Sequence, residues 1–114
     1  MVIWLSYLDR FNIELKRSFL PLAVMRILFK HKEGIHGYAV AQYLIGDSDK
    51  NLLKSIGNIY TVLRRFQKAN LVESLIESNE SDSKIVYTIT QEGIVTFKEM
   101  MVLVTHFQSI INSI

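Results

Sequence analysis

From Val2 to Leu15 the apolar residues Trp4, Leu8, Phe11 and Leu15 recur at steps of four, three and four, with Asp9, Arg10, Asn12, Glu14 and Lys16 on the flanks. One stripe at that spacing predicts an amphipathic helix over 2–15. Ser18 predicts the N-cap of a second helix, with Pro21 in its first turn, where a missing N–H costs little. Leu20, Leu22, Ala23, Val24, Met25, Ile27, Leu28 and Phe29 are apolar on nearly all sides, so this helix is expected at the centre of the fold, ending at Glu33-Gly34.

A short third helix is expected over His36–Ile45, with Val40 and Leu44 one turn apart, followed by the turn cluster Gly46-Asp47-Ser48-Asp49. A fourth covers Ser55–Ala69. Its expected inward stripe is Ile56, Ile59 with Tyr60, Leu63 and Phe66; its outward stripe is Asn58, Thr61, Arg65 and Lys68, with Arg64 alongside. Asn70 suits the left-handed position that closes a helix. Leu71–Ser78 and Ile85–Thr90 are rich in β-formers and are joined by a short polar link, which predicts a hairpin. Thr90 predicts the cap of a last helix over 91–114, with Glu92 near its positive end. There Phe97, Met100, Val104, Phe107, Ile111 and Ile114 repeat at three and four, an a/d seam. Ile94, Met101, Leu103 and Ile110 add apolar surface off that seam. One short domain cannot easily cover both faces, whereas a symmetric dimer can.

Composition narrows the class. A chain of 114 residues, 49% hydrophobic and 21% charged, is expected to form one globular domain over 1–114. The absence of cysteine excludes a disulfide scaffold, a Cys-ligated zinc finger and a thiol nucleophile. No secretory signal is expected from the start, MVIWLSYLDRF. No membrane span is expected either, because Met100–Ile114, the longest charge-free stretch, carries Thr105, His106, Gln108, Ser109, Asn112 and Ser113. A net charge of +2 permits nucleic-acid binding without demanding it.

From Ser18 on, three helices, a hairpin and a long helix make a mainly α fold with a small β-hairpin, in the order of a winged helix-turn-helix. The expected segments are a 2–15 amphipathic helix, an 18–90 winged helix-turn-helix core and a 91–114 dimerisation helix. In such a protein the second helix of the pair enters the major groove. Here that is 55–69, and between Lys54 and Asn70 the chain carries four bases (Lys54, Arg64, Arg65, Lys68) and no acid. Asn, Thr and Arg suit base edges, whereas bases nearer the helix end suit phosphates. Asn58 and Thr61 are thus the candidates for base edges. Lys54, Ser55, Arg64, Arg65 and Lys68, with Lys84 from the wing, are the candidates for the backbone, and Tyr38 is a candidate for phosphate or base.

The runs IHGYAVAQYL (35–44), GNIYTVLRRFQKANLVES (57–74) and KIVYTITQEG (84–93) resemble the PadR family of transcriptional regulators. His36, Gly37 and Tyr38 match its helix start. Gly57, Tyr60, Leu63 and Arg64 match its recognition helix, and Lys84, Tyr87, Thr90 and Gly93 match its strand-to-helix junction. The resemblance covers about 18–97. It implies a homodimeric DNA-binding repressor in the cytoplasm of a bacterium or archaeon, in the short form whose single C-terminal helix completes the dimer. It also implies that a small aromatic or drug-like effector is the one ligand to consider. The expected interface comprises Trp4, Leu8 and Phe11 with Phe97, Met100, Val104, Phe107 and Ile111. The chain departs from the family at Thr61, where proline is usual, at Asn70, where glycine is usual, and in the wing. Glu73–Ser83 holds Glu73, Glu77, Glu80 and Asp82 and no base, so an acidic tip would be repelled by phosphate.

Competing readings are plainer. Tyr60 reads first as core, and the outward stripe could be only a solvated face. His31, His36 and His106 are scattered, without the spacing of a metal site. His36 suits a helix start. No phosphate loop, nucleophile elbow or acid pair beside a histidine supports catalysis. The alternative function is a winged helix used for protein–protein contact, with the acidic wing as its docking surface.

Overall fold

The computed structural model describes residues 6–45, 59–78 and 83–114. The described elements are helix α1 (Tyr7–Lys30), strand β1 (Ile35–His36), helix α2 (Gly37–Ile45), helix α3 (Ile59–Lys68), strands β2 (Val72–Ser78) and β3 (Ser83–Ile89), and helix α4 (Gln91–Ser113). The strands form one antiparallel sheet in the order β1-β3-β2. The result is a mainly helical winged helix with a small sheet.

The two helices expected at 2–15 and from Ser18 are a single helix, α1. Its N-cap is Ser6, not Ser18: the Ser6 hydroxyl accepts the Asp9 N–H at 3.0 Å, and the Asp9 carboxylate accepts the Ser6 N–H at 3.2 Å. This reciprocal pair satisfies two donors that an open helix end leaves orphaned. Pro21 lies inside the helix. It is tolerated because the apolar stripe Leu8, Phe11, Leu15, Phe19, Leu22 stays in phase through it, so packing favours continuation over a break. The C-terminal half supplies Leu20, Val24, Met25 and Leu28 to the core. At its end the His31 Nδ1–H donates to the Ile27 carbonyl at 2.8 Å, and the Tyr43 hydroxyl donates to Nε2 at 3.2 Å.

His36, expected at a helix start, instead lies in β1 opposite Val86. The two-residue strand adds a third member to the expected hairpin. α2 buries Val40 and Leu44. α3 buries Ile59, Val62, Leu63 and Phe66. Val62 thus takes the inward place foreseen for Tyr60, which is 40% exposed. α3 ends as expected, with Asn70 at φ 61°. The Leu71 N–H donates to the Phe66 carbonyl at 2.9 Å and the Asn70 N–H to that of Gln67 at 3.0 Å, the paired bonds of a Schellman motif.

Thr90 caps α4 and ties it to the wing. Its hydroxyl accepts the Gly93 N–H at 3.0 Å and donates to the Asn70 carbonyl at 2.7 Å, while its own N–H donates to the Leu71 carbonyl at 3.0 Å. Gly93 lets the helix lie on the strand: a Cβ there would overlap the Leu71 carbonyl oxygen. α4 then packs on α1, where the Phe29 and Phe97 rings stand 4.9 Å apart. Beyond Met100 its residues are exposed, apart from half-buried Val104. By length and mean hydropathy α4 is the one described helix apolar enough to cross a membrane, despite the six polar residues that argued against a span. Its start is anchored in the core through Gly93 and Phe97.

Candidate nucleic-acid interface

With Ile59, Val62, Leu63 and Phe66 turned to the core, the 3.6-residue period of α3 leaves Thr61, Arg64, Arg65 and Lys68 exposed on the opposite side. No acid lies on the helix, so its exposed face is purely cationic and polar. Arg65 and Lys68 lie in the last turn, where they also oppose the negative end of the helix dipole. The Gln67 side-chain amide donates to the Ser74 hydroxyl at 2.6 Å and braces α3 against the wing. Lys54, Ser55 and Asn58, the other expected contacts of this helix, lie outside the described residues.

Beside α3 the start of α2 and the wing enclose a cleft of about 380 Å³, lined by His36, Gly37, Tyr38, Tyr60, Lys84 and Ile85. Two expected DNA contacts meet here: the Lys84 Nζ lies 5.7 Å from the centre of the Tyr38 ring. His36 and Tyr60 share the cleft, although neither was expected to contact DNA. The signal for Tyr60 was its place directly before Thr61, at the edge of the outward stripe. Tyr87 forms the buried back of this region. Burial, and secondarily the nearby Tyr60, push its phenol above the ordinary range, while Arg64 opposes the shift.

The wing contrasts with α3. Along β2, Glu73, Glu77, Leu75 and Ile76 are exposed. Glu77 faces Lys84 across the ladder. Among the described residues no group of three or more His, Asp or Glu side chains could hold a metal ion.

The residues expected at a subunit interface divide. Leu8 and Phe11 on α1 are exposed, as are Phe107 and Ile111 on α4, whereas Met100 and Val104 are half-buried. Phe97 departs from expectation: it is only 3% exposed, because it packs on Phe29 and closes the chain's own core. Trp4 lies outside the described residues. Between α1 and α4, Phe19, Leu22, Met100, Val104 and Phe107 help line an open groove of about 370 Å³.

The model of the transcriptional regulator PadR-like family matches residues 24–99, from the buried half of α1 into α4. The chain belongs to that family. Solved structures of the same shape include PadR-like regulators. One from Eggerthella lenta superposes with a TM-score of 0.71 at 22% identity, covering 93% of this chain and 89% of that one. A transcriptional regulator from Clostridium thermocellum gives 0.72 at 20% identity, covering 88% and 96%. A PadR-like transcription factor from Bacteroides fragilis gives 0.68 at 21%, covering 92% and 98%. At these identities the likeness establishes the fold. No curated protein sequence matches the chain. The PadR-like match takes in α2, α3, the wing and the Thr90–Gly93 junction. It stops short of the exposed ends of α1 and α4.

Proposed function

We propose that this PadR-like regulator is a homodimer that binds double-stranded DNA sequence-specifically and represses transcription, in the cytoplasm of a prokaryote. The observation that carries the reading is the two-sided character of α3. One side is locked into the core, and the other offers Thr61, Arg64, Arg65 and Lys68 with no acid among them. Held this rigidly, α3 is suited to enter the major groove. Thr61, with Asn58 just before the described helix, would read base edges, and the bases would hold phosphates. Lys84 and Tyr38 would add backbone contacts from the wing side.

The exposed apolar faces of α1 and α4 are the surface for the second copy. Leu8 and Phe11 lie on one helix and Phe107 and Ile111 on the other, too much apolar surface for a lone protomer to leave in water. A two-fold dimer would place two copies of α3 about one helical turn apart, roughly 10 base pairs. The groove between α1 and α4 is the place for an aromatic effector, should one act. The regulator works by binding, and no catalytic role is proposed.

Selection from a random duplex library tests this directly. The expected result is a pseudo-palindromic consensus with half-sites about 10 base pairs apart. No enrichment over input would refute it. A second reading, docking of the wing to another protein, is favoured by Glu73, Glu77 and the 72% exposed Leu75 on β2. The two separate by partner: the first requires labelled duplex to bind with an affinity that falls steeply as salt is added, whereas the second requires no duplex binding at all.

A further inference from the structure

Among the cavities of the described residues, the cleft between α2, α3 and the wing combines fixed charge, aromatic walls and an orphaned polar atom. Gly37 makes room for it. A Cβ at that position would stand 2.8 Å from Tyr60 Cε1 and 3.0 Å from Tyr87 Cε2, so only glycine lets both rings close against the start of α2. Lys84 and His36 reach the cleft from neighbouring positions: Lys84 and Val86 share one face of β3, and His36 pairs with Val86. His36 Nε2 is buried and has no hydrogen-bond partner. The nearest anion is the Glu77 carboxylate, 3.6 Å away, which is too long for a hydrogen bond. Glu77 is also the cross-strand neighbour of Lys84. One carboxylate therefore stands 3.6 Å from the imidazole nitrogen and belongs to the residue paired with the lysine.

We propose that this cleft seats one backbone phosphate of bound duplex, held by Lys84 and His36, and that Glu77 is a built-in competitor for that phosphate. The proposal rests on the DNA-binding reading and adds the acceptor site, the role of His36 and the opposing role of Glu77. A phosphate oxygen accepts from both nitrogens, as a carboxylate oxygen does, but it arrives with the duplex. Glu77, mostly exposed at the edge strand, is free to swing aside. The Tyr38 and Tyr60 rings wall the site and limit water around the contact, which strengthens it.

The test compares charge-neutral variants on a fluorescein-labelled random-sequence duplex, by anisotropy across a salt series. Glu77→Gln is expected to tighten binding about fivefold, the effect of one like charge at contact distance in water. Glu73→Gln, on the same face of the same strand about 13 Å away, is the control and is expected to change affinity less than twofold. Lys84→Ala is expected to lower the salt slope by about 0.9, one phosphate's worth. His36→Ala is expected to weaken binding about threefold, with His36→Gln restoring it, because Gln keeps a side-chain donor. Circular-dichroism melts confirm that each variant is folded. Equal effects of Glu77→Gln and Glu73→Gln, or an unchanged slope in Lys84→Ala, would overturn the cleft while leaving DNA binding intact. Absence of duplex binding by the unaltered protein at low salt would instead overturn the DNA-binding reading itself.

Discussion

Replacing Gly93 with alanine tests the junction that seats α4 on the wing. In an open helix the change would stabilise the protein by about 1 kcal/mol, because glycine costs backbone entropy. Here the added methyl overlaps the Leu71 carbonyl oxygen and comes within 2.7 Å of Ile89 Cγ1. That carbonyl accepts the Thr90 N–H, and Thr90 in turn caps the helix and binds Asn70. Moving the helix away weakens at least one of these bonds, at about 1 kcal/mol, and the overpacking adds about 1–3 kcal/mol. The net expectation is a loss of about 2 kcal/mol. With an unfolding entropy of about 2.1 cal/mol/K per residue, that corresponds to a fall in Tm of about 8 °C for a chain of this length. Urea titration at fixed protein concentration should show a lower midpoint with an unchanged slope. A variant as stable as the parent, or more stable, would mean that helix propensity governs this site and that the close approach does not matter.

Other outcomes follow from the same geometry. Phe107→Glu should convert the proposed dimer to monomer in sedimentation velocity, since each copy of Phe107 buried there would contribute about 2 kcal/mol; an unchanged dimer would put the interface elsewhere. Lys68→Ala should weaken specific and random duplexes alike and lower the salt slope by about one, whereas Asn58→Ala should cost about 1–3 kcal/mol at one base pair only. If both variants lose affinity uniformly, the division into base and phosphate contacts fails. Burial holds the Tyr87 phenol above its ordinary range, with Tyr60 adding to the rise and Arg64 opposing it. The folded state thus favours the neutral phenol. Its contribution is full below about pH 10, where the unfolded phenol titrates, and is lost as pH rises through the folded value. The urea midpoint should therefore fall above pH 10, and less so in Tyr87→Phe; equal losses in both would assign the alkaline transition to other groups.

Much of this architecture was legible where local chemistry and tertiary packing agree. Asn70 is a residue that tolerates positive φ, and it stands where α3 must end. Thr90 is a cap residue with Gly93 three positions on, and the alternation through Ile85, Tyr87 and Ile89 can only be a half-buried strand. The errors arose where one residue permits two structures. Ser18 is a good cap, and Pro21 is at home in a first turn, but the unbroken stripe from Leu8 to Leu22 outweighs both. Two-residue β1 is too short to carry any period, so the sequence alone places His36 in the following helix. Phe97 fits the a/d seam in register, yet the seam crosses from the core into solvent along α4, and nothing in its spacing marks where. At the candidate site, the exposed cationic stripe of α3 follows from helical period alone. The cleft does not, because it depends on Gly37 admitting two rings from other elements.

The continuity of α1 makes it a mechanical part as well as a packing element. Twenty-four residues give a rod about 36 Å long. Its buried end carries Val24, Met25 and Leu28 in the core, and its free end carries Leu8 and Phe11. At Pro21 one rung of the ladder is missing, because the Arg17 carbonyl has no N–H four residues on to receive. Bending stiffness is therefore lowest between the two halves, and a flexure of about 5° there moves the far end by about 2 Å. Whatever grips the free end works on a hinged lever whose fulcrum is a proline.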